Sequence, residues 1–392
     1  MILPLGYRYA SVYAGIRKDP KDDLALIVPD NPAQAAAVFT RNVVQASPVR
    51  IARKHLRTSK GKVAAAIVNA GNANCATRTG DRVATVTCKT LARTLHTKAE
   101  FVIPSSTGVI GVELDPKLIT NALPGLVEKL SPDSFQSVAE AIMTTDTRVK
   151  IASEEIKLNG GIVRVAGMTK GSGMIHPNMA TTLGFVMTDV AIAANDLHKI
   201  LVSATERSYN SLSVDGDMST NDMVLLLANG ASGVKPRTKE QLALKEVITT
   251  VMESLAEQIA ADGEGARKLI VIQTSGFKSN EDARRIARSI ANSPLVKTAV
   301  AGNDPNWGRI LAAAGYSGVS FDPGDIDIDV QGVPVCRNGL AAEFEESALK
   351  QKLDDSEVRL RLSSRAKGKG EARFFTCDFT EGYIQINGSY RT

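Results

Sequence analysis

A glycine- and proline-rich loop that runs directly into a strand holds the strongest candidate for chemistry in this sequence. Residues 168–189 read MTKGSGMIHPNMATTLGFVMTD, and the first half is predicted to be a loop because glycine, proline and asparagine favour turns and interrupt helices. Ala180, Thr181 and Thr182 then open an apolar strand. A hydroxyl at such a junction can attack the carbonyl just before it, and hydrolysis of the resulting ester leaves Thr181 with a free α-amine.

That α-amine would make Thr181 a usable nucleophile. A threonine hydroxyl is a weak nucleophile unless a base takes its proton. An α-amine, with an ordinary pKa of about 7.7–8.0, is partly neutral near pH 7 and can act as that base. Taken alone, the segment also fits a plainer interpretation, in which Thr181 and Thr182 are β-branched residues that begin a strand.

A second segment has the composition of an oxyanion hole. Residues 104–111 read PSSTGVIG and follow directly on a predicted strand. A small, hydroxyl-rich turn of this kind can direct backbone N–H groups and a side-chain hydroxyl to one point, which is what a developing oxyanion requires. An ordinary turn between a strand and a helix is the alternative.

Composition limits the classes of function. The 392 residues are 43% hydrophobic and 23% charged, which is typical of a soluble globular protein. No apolar run approaches the roughly 18–20 residues of a membrane helix, and the first residues lack the features of a signal peptide. We therefore expect a cytoplasmic protein with no membrane partner.

Neither nucleic acid nor metal is favoured as a partner. The net charge is +5, but the basic stretches 53–62 and 365–369 contain no interleaved aromatic residues for base stacking. The four cysteines form no CxxC pair, so we expect reduced, mostly buried thiols, and the four histidines show no metal-ligand spacing. Acidic residues at 215–222 (DGDMSTND) lack the fixed spacing of a calcium loop, so packing and helix capping are the favoured interpretation.

The elements that must position these residues alternate along the chain. Strands are predicted at 24–28, 36–39, 63–68, 100–103, 182–190, 269–274, 326–330, 358–362, 373–379 and 383–387. Helices are predicted at 83–95, 115–144 with breaks at Pro124 and Pro132, 196–209 with Asn195 as its cap, 239–261 and 280–292. A hairpin is predicted from 151–158 and 162–168, joined by Asn159, Gly160 and Gly161. This alternation predicts a layered α/β (α+β) architecture.

Nine segments, in order along the chain, together resemble the ornithine acetyltransferase family, also called glutamate N-acetyltransferase. They are residues 38–42 (VFTRN), 69–74 (NAGNAN), 104–111 (PSSTGVIG), 142–147 (IMTTDT), 170–182 (KGSGMIHPNMATT), 262–266 (DGEGA), 292–298 (NSPLVKT), 302–309 (GNDPNWGR) and 380–387 (TEGYIQIN). Each segment alone is a weak signal, but the ordered set covers nearly the whole chain.

The resemblance implies a fold, a maturation step and an activity. The implied fold has two facing sheets between helical layers, similar to N-terminal-nucleophile hydrolases but differently connected. Self-cleavage between Ala180 and Thr181 is implied to give an alpha chain, residues 1–180, and a beta chain, residues 181–392, which stay together in an α2β2 heterotetramer. The implied activity is ping-pong transfer of an acetyl group from N2-acetyl-L-ornithine to L-glutamate in cyclic arginine biosynthesis, without metal or organic cofactor.

The resemblance also assigns residues to roles. Thr181 matches the nucleophile, and Thr107 and Gly108 match the oxyanion-hole pair. The positions that match substrate-binding residues are Thr144, Lys170, Thr181, Glu264, Asn387 and Thr392.

Two of these positions have a chemical reason and a plainer alternative. Lys170 can neutralise the α-carboxylate shared by both substrates, although a lysine is more often a surface cation. Glu264 can pair with the δ-ammonium of ornithine, or instead cap a helix.

Three questions stay open at this point. Some members of the family also take acetyl-CoA as donor, and nothing in the residues distinguishes the two kinds. A related self-cleaving aminopeptidase or amidohydrolase, in which water receives the acyl group, is the nearest alternative function. A basic nucleic-acid-binding protein is a more distant one, and it predicts an intact chain with salt-dependent binding.

Overall fold

The computed structural model describes residues 1–176 and 182–388. Within these ranges the chain forms sixteen strands and eleven α-helices. The strands are β1 (Tyr7–Val12), β2 (Leu24–Pro29), β3 (Ala33–Phe39), β4 (Lys62–Val63), β5 (Ala65–Asn72), β6 (Val102–Val109), β7 (Lys150–Leu158), β8 (Gly161–Lys170), β9 (Leu183–Thr188), β10 (Met223–Ala228), β11 (Leu269–Phe277), β12 (Ile326–Val330), β13 (Val333–Arg337), β14 (Leu340–Ala341), β15 (Glu357–Ser364) and β16 (Gly370–Cys377). The helices are α1 (Ser47–Thr58), α2 (Gly80–Thr94), α3 (Pro116–Glu128), α4 (Phe135–Ala141), α5 (Ala194–Arg207), α6 (Thr238–Ala261), α7 (Asn280–Ala291), α8 (Pro294–Ala301), α9 (Trp307–Gly315), α10 (Glu346–Lys352) and α11 (Glu381–Asn387).

Two sheets pack face to face at the centre of the molecule. The first has the strand order β1-β2-β5-β6, and the second has the order β4-β3-β10-β9-β8-β7. Their facing sides share one hydrophobic core, which joins Tyr9 and Val68 of the first sheet to Phe185 and Leu225 of the second. Every residue of β9 and β10 is buried, because both faces of these central strands are covered.

Helices cover the outer faces of both sheets. Helices α2 and α3 bury Leu91 and Leu123 against the first sheet, and helices α5 and α6 bury Leu201 and Leu255 against the second. The layers therefore run helix, sheet, sheet, helix. This order confirms the predicted α/β architecture of facing sheets between helical layers.

A third sheet, of order β14-β13-β12-β15-β11-β16, forms a second lobe. One of its faces packs against α7 and α9 through Ile286 and Ile310. On the other face Val271 and Phe375 join the core that surrounds α6. Helix α6 therefore packs between the second and third sheets and connects the two lobes.

The second sheet contains strands from both sides of residues 177–181. Strands β3, β4, β7 and β8 precede that segment in the chain, whereas β9 and β10 follow it. Because β9 and β10 lie between β3 and β8, the two parts of the chain are interleaved within one sheet.

Most predicted elements are confirmed, including the hairpin of β7 and β8 and the long helix α6. Several elements were not predicted, among them β10, α8 and α9. Strand β10 escapes a period-based search because it is buried on both faces and its sequence, MVLLLA, does not alternate.

The predicted break at Pro124 is wrong, because α3 continues through this residue. Proline removes one N–H from the helix ladder. The helix nevertheless buries Ile119, Leu123 and Leu126 against the first sheet. Packing of this apolar face outweighs the missing hydrogen bond.

The predicted cap at Asn195 is also wrong, since α5 begins at Ala194, two residues before the predicted start at 196. Ala193 occupies the N-cap position and provides no side-chain hydrogen bond. The apolar face of the helix, which includes Leu197 and Leu201, packs against the second sheet. Tertiary packing therefore sets the start of this helix rather than a polar cap.

The predicted strand at 383–387 is a helix, α11. The alternation Tyr-Ile-Gln-Ile-Asn favours a strand by local propensity. In the structure Thr380 caps the segment, accepting a hydrogen bond of 3.0 Å from the N–H of Gly382, and this cap starts a helix. A helix places residues four apart side by side, so Tyr383 and Asn387 become neighbours.

The cysteine prediction is confirmed: Cys75, Cys88, Cys336 and Cys377 are all buried and unpaired. Among the helices of the described ranges, none is both long and apolar enough to cross a membrane.

Candidate active site

A cleft of about 350 Å³ opens where β6 and β8 end and β9 and β10 begin. All six predicted site residues within the described ranges line it: Thr107, Gly108, Thr144, Lys170, Glu264 and Asn387. They come from five separate parts of the chain. Ala180, Thr181 and Thr392 lie outside the described residues, although Thr182, which follows Thr181 in sequence, lines the cleft.

The predicted oxyanion pair lies at the end of β6, beside the parallel strand β5. Gly108 pairs with Gly71 in this ladder and has φ +126°. A Cβ atom on Gly108 would lie 2.5 Å from the Gly71 oxygen and 2.7 Å from the Asn72 nitrogen. Both the backbone angle and the close approach of β5 therefore require glycine at this position.

The turn is fastened from the opposite side by Asn221. Its side-chain amide donates to the carbonyl oxygens of Ser106, at 2.8 Å, and Ala73, at 2.7 Å. These two bonds hold the ends of β5 and β6 against the loop that precedes β10. Thr107 is thereby placed so that its hydroxyl oxygen lies 3.3 Å from the Nζ atom of Lys170.

Lys170 brings a positive charge to the wall of the cleft. Burial lowers the pKa of its ammonium group, while the carboxylates of Asp146, Asp222 and Glu264 act in the opposite direction. A cation that is poorly hydrated and close to a hydroxyl and a glycine turn is suited to bind an anion. An amino-acid carboxylate is one such anion.

A buried ion network supports this lysine and its neighbours. The Nζ atom of Lys150 lies 2.7 Å from Asp146 and 2.5 Å from Asp262, and all three side chains are at most 4% exposed. Asp146 also accepts hydrogen bonds from the N–H groups of Thr144, at 2.9 Å, and Gly171, at 2.6 Å. Burial alone would raise the pKa of Asp146, but the charges of Lys170 and Lys150 hold it below its usual value.

Glu264 brings a negative charge to the other side of the cleft. Its backbone N–H donates to the carbonyl of Ser172 at 2.9 Å, and its carboxylate lies directly over Gly173. A Cβ atom on Gly173 would come within 2.5 Å of the Oε1 atom of Glu264, so only glycine leaves room for this carboxylate. Glu264 faces the cleft and does not cap a helix.

Helix α11 brings Asn387 to this carboxylate. The Asn387 amide donates to the Oε2 atom of Glu264 at 2.8 Å. Tyr383 precedes Asn387 by four residues, so both lie on the same face of the helix, and both line the cleft. The Tyr383 hydroxyl donates to Asp215 at 3.4 Å.

The acidic loop 215–222, for which the sequence favours packing and helix capping, also lines the cleft. Asp215 has a packing role: its carboxylate accepts the N–H groups of Met174, at 2.6 Å, and Ile175, at 2.9 Å. Asp222 differs, because its Oδ2 atom is buried and has no hydrogen-bond partner among the described residues. The available signal was an acidic residue directly before the apolar run 223–228.

The arrangement suits acyl transfer on a small zwitterion. The cleft combines a hydroxyl and a glycine turn with one cationic wall and one anionic wall, and Thr182, directly before β9, lines it. The described residues contain no group of three or more His, Cys, Asp or Glu side chains arranged to hold a metal ion.

Comparison with known proteins places this geometry among relatives. A model of the ArgJ family matches residues 8–392. "Arginine biosynthesis bifunctional protein ArgJ" of Chlorobaculum tepidum is 44% identical, over 99% of this chain and 96% of that protein. The protein of the same name from Thermotoga neapolitana is 43% identical over the whole of both. A crystal structure of the Bacillus halodurans protein is 35% identical, with a TM-score of 0.51, and covers 53% of this chain and 98% of that one.

Proposed function

The chain belongs to the ArgJ family, and on that premise we propose that it is a glutamate N-acetyltransferase. It transfers the acetyl group of N2-acetyl-L-ornithine to L-glutamate and releases ornithine and N-acetylglutamate. The observation that carries the proposal is the convergence of Thr107, Gly108, Thr144, Lys170, Glu264 and Asn387 on one cleft.

The nucleophile of the proposed reaction is Thr181. Its α-amine takes the proton of its own hydroxyl, and the hydroxyl oxygen attacks the acetyl carbonyl of N2-acetylornithine. Thr107 and the N–H of Gly108 stabilise the oxyanion, a contribution of roughly 2.7–4 kcal/mol for each donor in comparable sites. The C–N bond then breaks, ornithine leaves, and glutamate attacks the acetyl-Thr181 ester in a second half-reaction of the same kind.

The two walls of the cleft support recognition of both substrates. Lys170 binds the α-carboxylate that ornithine and glutamate share, and the hydroxyl of Thr144 adds a hydrogen bond. Glu264, oriented by Asn387 at 2.8 Å, pairs with the δ-ammonium of ornithine. We assign Thr392 to the same site from the family resemblance alone.

Self-cleavage between Ala180 and Thr181 is the maturation step that we propose. It divides the protein into residues 1–180 and 181–392, which associate as an α2β2 assembly. The interleaving of β9 and β10 between β3 and β8 supports two chains that stay together after the cut. The match to the Bacillus halodurans structure covers 53% of this 392-residue chain but 98% of that chain, so that chain is only about half as long as this one.

Acetyl-CoA is the second acetyl donor that we propose, which would make the enzyme an amino-acid N-acetyltransferase as well. The support is the word "bifunctional" in the names of relatives that are 43–44% identical.

Intact-mass spectrometry of the denatured protein, beside a Thr181→Ala variant, tests the maturation step. We expect two fragments of about 19 and 23 kDa, in proportion to their share of the 41.7 kDa chain, and an intact variant. Incubation with N2-acetylornithine and glutamate then tests the activity. N-acetylglutamate as product supports transfer, whereas free acetate would indicate a hydrolase. An intact wild-type chain that still transferred acetyl groups would contradict the proposed nucleophile.

A further inference from the structure

The reaction proposed above requires, in each half-reaction, one proton transfer more than the α-amine of Thr181 can perform. In the first half, that amine passes the hydroxyl proton to the departing nitrogen, which yields a neutral amine. Ornithine leaves as an α-ammonium ion at neutral pH, so its nitrogen must gain a second proton. In the second half, glutamate arrives as an α-ammonium ion and must lose one proton before its lone pair can attack. It loses another when the new C–N bond forms, and that proton returns through the α-amine to the oxygen of Thr181.

Asp222 lies beside the start of β9, the strand that follows the proposed nucleophile in sequence. Met223, the next residue, begins β10 and pairs with Leu183, the first residue of β9. The Met223 N–H donates to the carbonyl of Thr182 at 2.9 Å. Asp222 therefore lies at the same edge of the sheet as Thr182, and Thr182 is the residue that follows the proposed nucleophile in sequence.

The Asp222 side chain is held in position but not fully satisfied. Its backbone carbonyl accepts the N–H of Thr40 at 3.0 Å, and the neighbouring Ser219 side chain lowers the pKa of its carboxyl group. The residue is only 3% exposed, and yet its Oδ2 atom has no partner among the described residues. A buried, unsatisfied carboxylate oxygen is costly, which is explained if a substrate group completes it.

The chemistry of the substrate indicates which group that is. In an α-amino acid the carboxylate and the amine are attached to the same carbon atom. Whatever binds one must therefore lie close to whatever binds the other. Lys170, the proposed carboxylate-binding residue, is the charged neighbour that acts on Asp222, and both line the same cleft.

We propose that Asp222 is the catalytic acid–base that exchanges this second proton with the α-nitrogen of the substrates. As a carboxylate it takes one proton from the ammonium group of glutamate, and as a carboxylic acid it gives one to the departing ornithine. No proton is gained or lost over a complete cycle. Asp222 has this role only if Thr181 carries the acetyl group as proposed above.

The surroundings suit a group that changes protonation during turnover. Burial raises the pKa of Asp222 well above its usual range, while the Ser219 side chain and the charge of Lys170 lower it. Lys170 is in turn influenced by Asp146, Lys150 and Glu264. Arg41 follows Thr40, whose N–H bonds the backbone carbonyl of Asp222, and Arg41 is exposed.

The test uses an Asp222→Asn variant of the full chain and separates acetylation from transfer. Wild type and the Asp222→Asn variant are each acetylated with 4-nitrophenyl acetate, whose phenolate leaves without a proton. The acetyl-enzyme is verified by intact mass. Transfer is then timed to glutamate and to hydroxylamine, a nucleophile that is uncharged at neutral pH. Asp217→Asn, which removes an exposed carboxylate from the same cleft, is the matched control for charge alone.

We expect Asp222→Asn to slow transfer to glutamate by about 10²-fold or more and to leave transfer to hydroxylamine within about twofold of wild type. The residual glutamate rate should rise tenfold per pH unit, because only glutamate with an already neutral amine then reacts. Asp217→Asn should keep the wild-type pH slope and the wild-type ratio of the two rates.

Equal slowing with both acceptors, or no slowing with glutamate, would overturn the role of Asp222. Failure of wild type to form an acetyl-enzyme would instead overturn the proposed function. Should Asp222→Asn fail to mature, Ser219→Ala provides a second test. Loss of this hydroxyl should raise the pKa of Asp222 and move the acidic limb of the wild-type glutamate rate to higher pH, and an unshifted limb would count against the proposal.

Discussion

The buried ion network beneath the cleft gives the most quantitative prediction. Lys150→Met keeps most of the length of the unbranched side chain and removes its charge. The ammonium group, 1% exposed, lies 2.7 Å from Asp146 and 2.5 Å from Asp262. The substitution therefore leaves two carboxylates buried without their shared cation.

Loss of one partner from a buried ion pair typically costs about 3–5 kcal/mol, because the remaining charge cannot be hydrated. Two carboxylates would place Lys150→Met at the upper end of that range. Both, however, keep backbone donors: Asp146 retains the N–H groups of Thr144 and Gly171, and Asp262 retains the N–H of Thr147 at 3.0 Å. We therefore expect the free energy of unfolding to fall by about 3–5 kcal/mol.

Urea unfolding in a Thr181→Ala background measures this change, because we expect that background to remain a single chain. Lys199→Met is the matched control. Its ammonium lies 3.0 Å from Asp196 but is 78% exposed, so the control should change stability by less than about 1 kcal/mol. If Lys150→Met cost no more than Lys199→Met, the buried network would not be a stabilising element and the reasoning would be wrong.

Three further predictions concern the cleft itself. Gly108→Ala should lower kcat by about 10²-fold or more, because it displaces an oxyanion donor. Gly111→Ala is the control: Gly111 also has a positive φ, but an added Cβ would meet no atom within 4 Å, so this change should cost only about 1–2 kcal/mol of stability and little activity. Equal kcat values for the two variants would contradict this prediction. Glu264→Gln should raise KM for N2-acetylornithine by about 10- to 100-fold, the equivalent of one charged hydrogen bond. KM for glutamate, which has no δ-ammonium, should not rise. A parallel rise in both KM values would count against this assignment. Asp222→Asn should stabilise the Thr181→Ala chain at pH 7 but not at pH 3. A carboxyl group whose pKa is raised in the folded state costs stability once the pH exceeds its unfolded pKa of about 3.9. Urea unfolding at the two pH values checks the sign of the change.

The architecture was predictable from the sequence to the level of layers but not of strand order. Alternating strands and helices imply sheets covered by helices, and this expectation held. The position of β10 between β9 and β3 depends on packing of a uniformly apolar strand, which carries no directional pattern. The neighbourhood of Asp222 therefore could not be read from its own segment.

The site shows the same division between motif and geometry. Each short segment supplied a candidate such as Thr107 or Lys170, and only the family resemblance joined them before the structure was considered. The prediction of a strand at 383–387 is wrong, because Tyr383 to Asn387 alternate as a strand would but form a helix. The N-cap at Thr380 decides for a helix, and the helix brings Tyr383 and Asn387 within about one turn of each other, whereas a strand would hold them roughly 13 Å apart.

The interleaved sheet would hold the two parts of the chain together after the cut that we propose between Ala180 and Thr181. The part before residue 177 pairs with the part after residue 181 along both β3–β10 and β8–β9, with six residue pairs in each ladder. Separation of the two chains would require both ladders to open and the core of Phe185 and Leu225 to be exposed to water. A cut between Ala180 and Thr181 removes one peptide bond and leaves these contacts in place. The α-amine that this cut would create belongs to Thr181, whose neighbour Thr182 is held directly before β9 by the hydrogen bond of 2.9 Å from the Met223 N–H to its carbonyl.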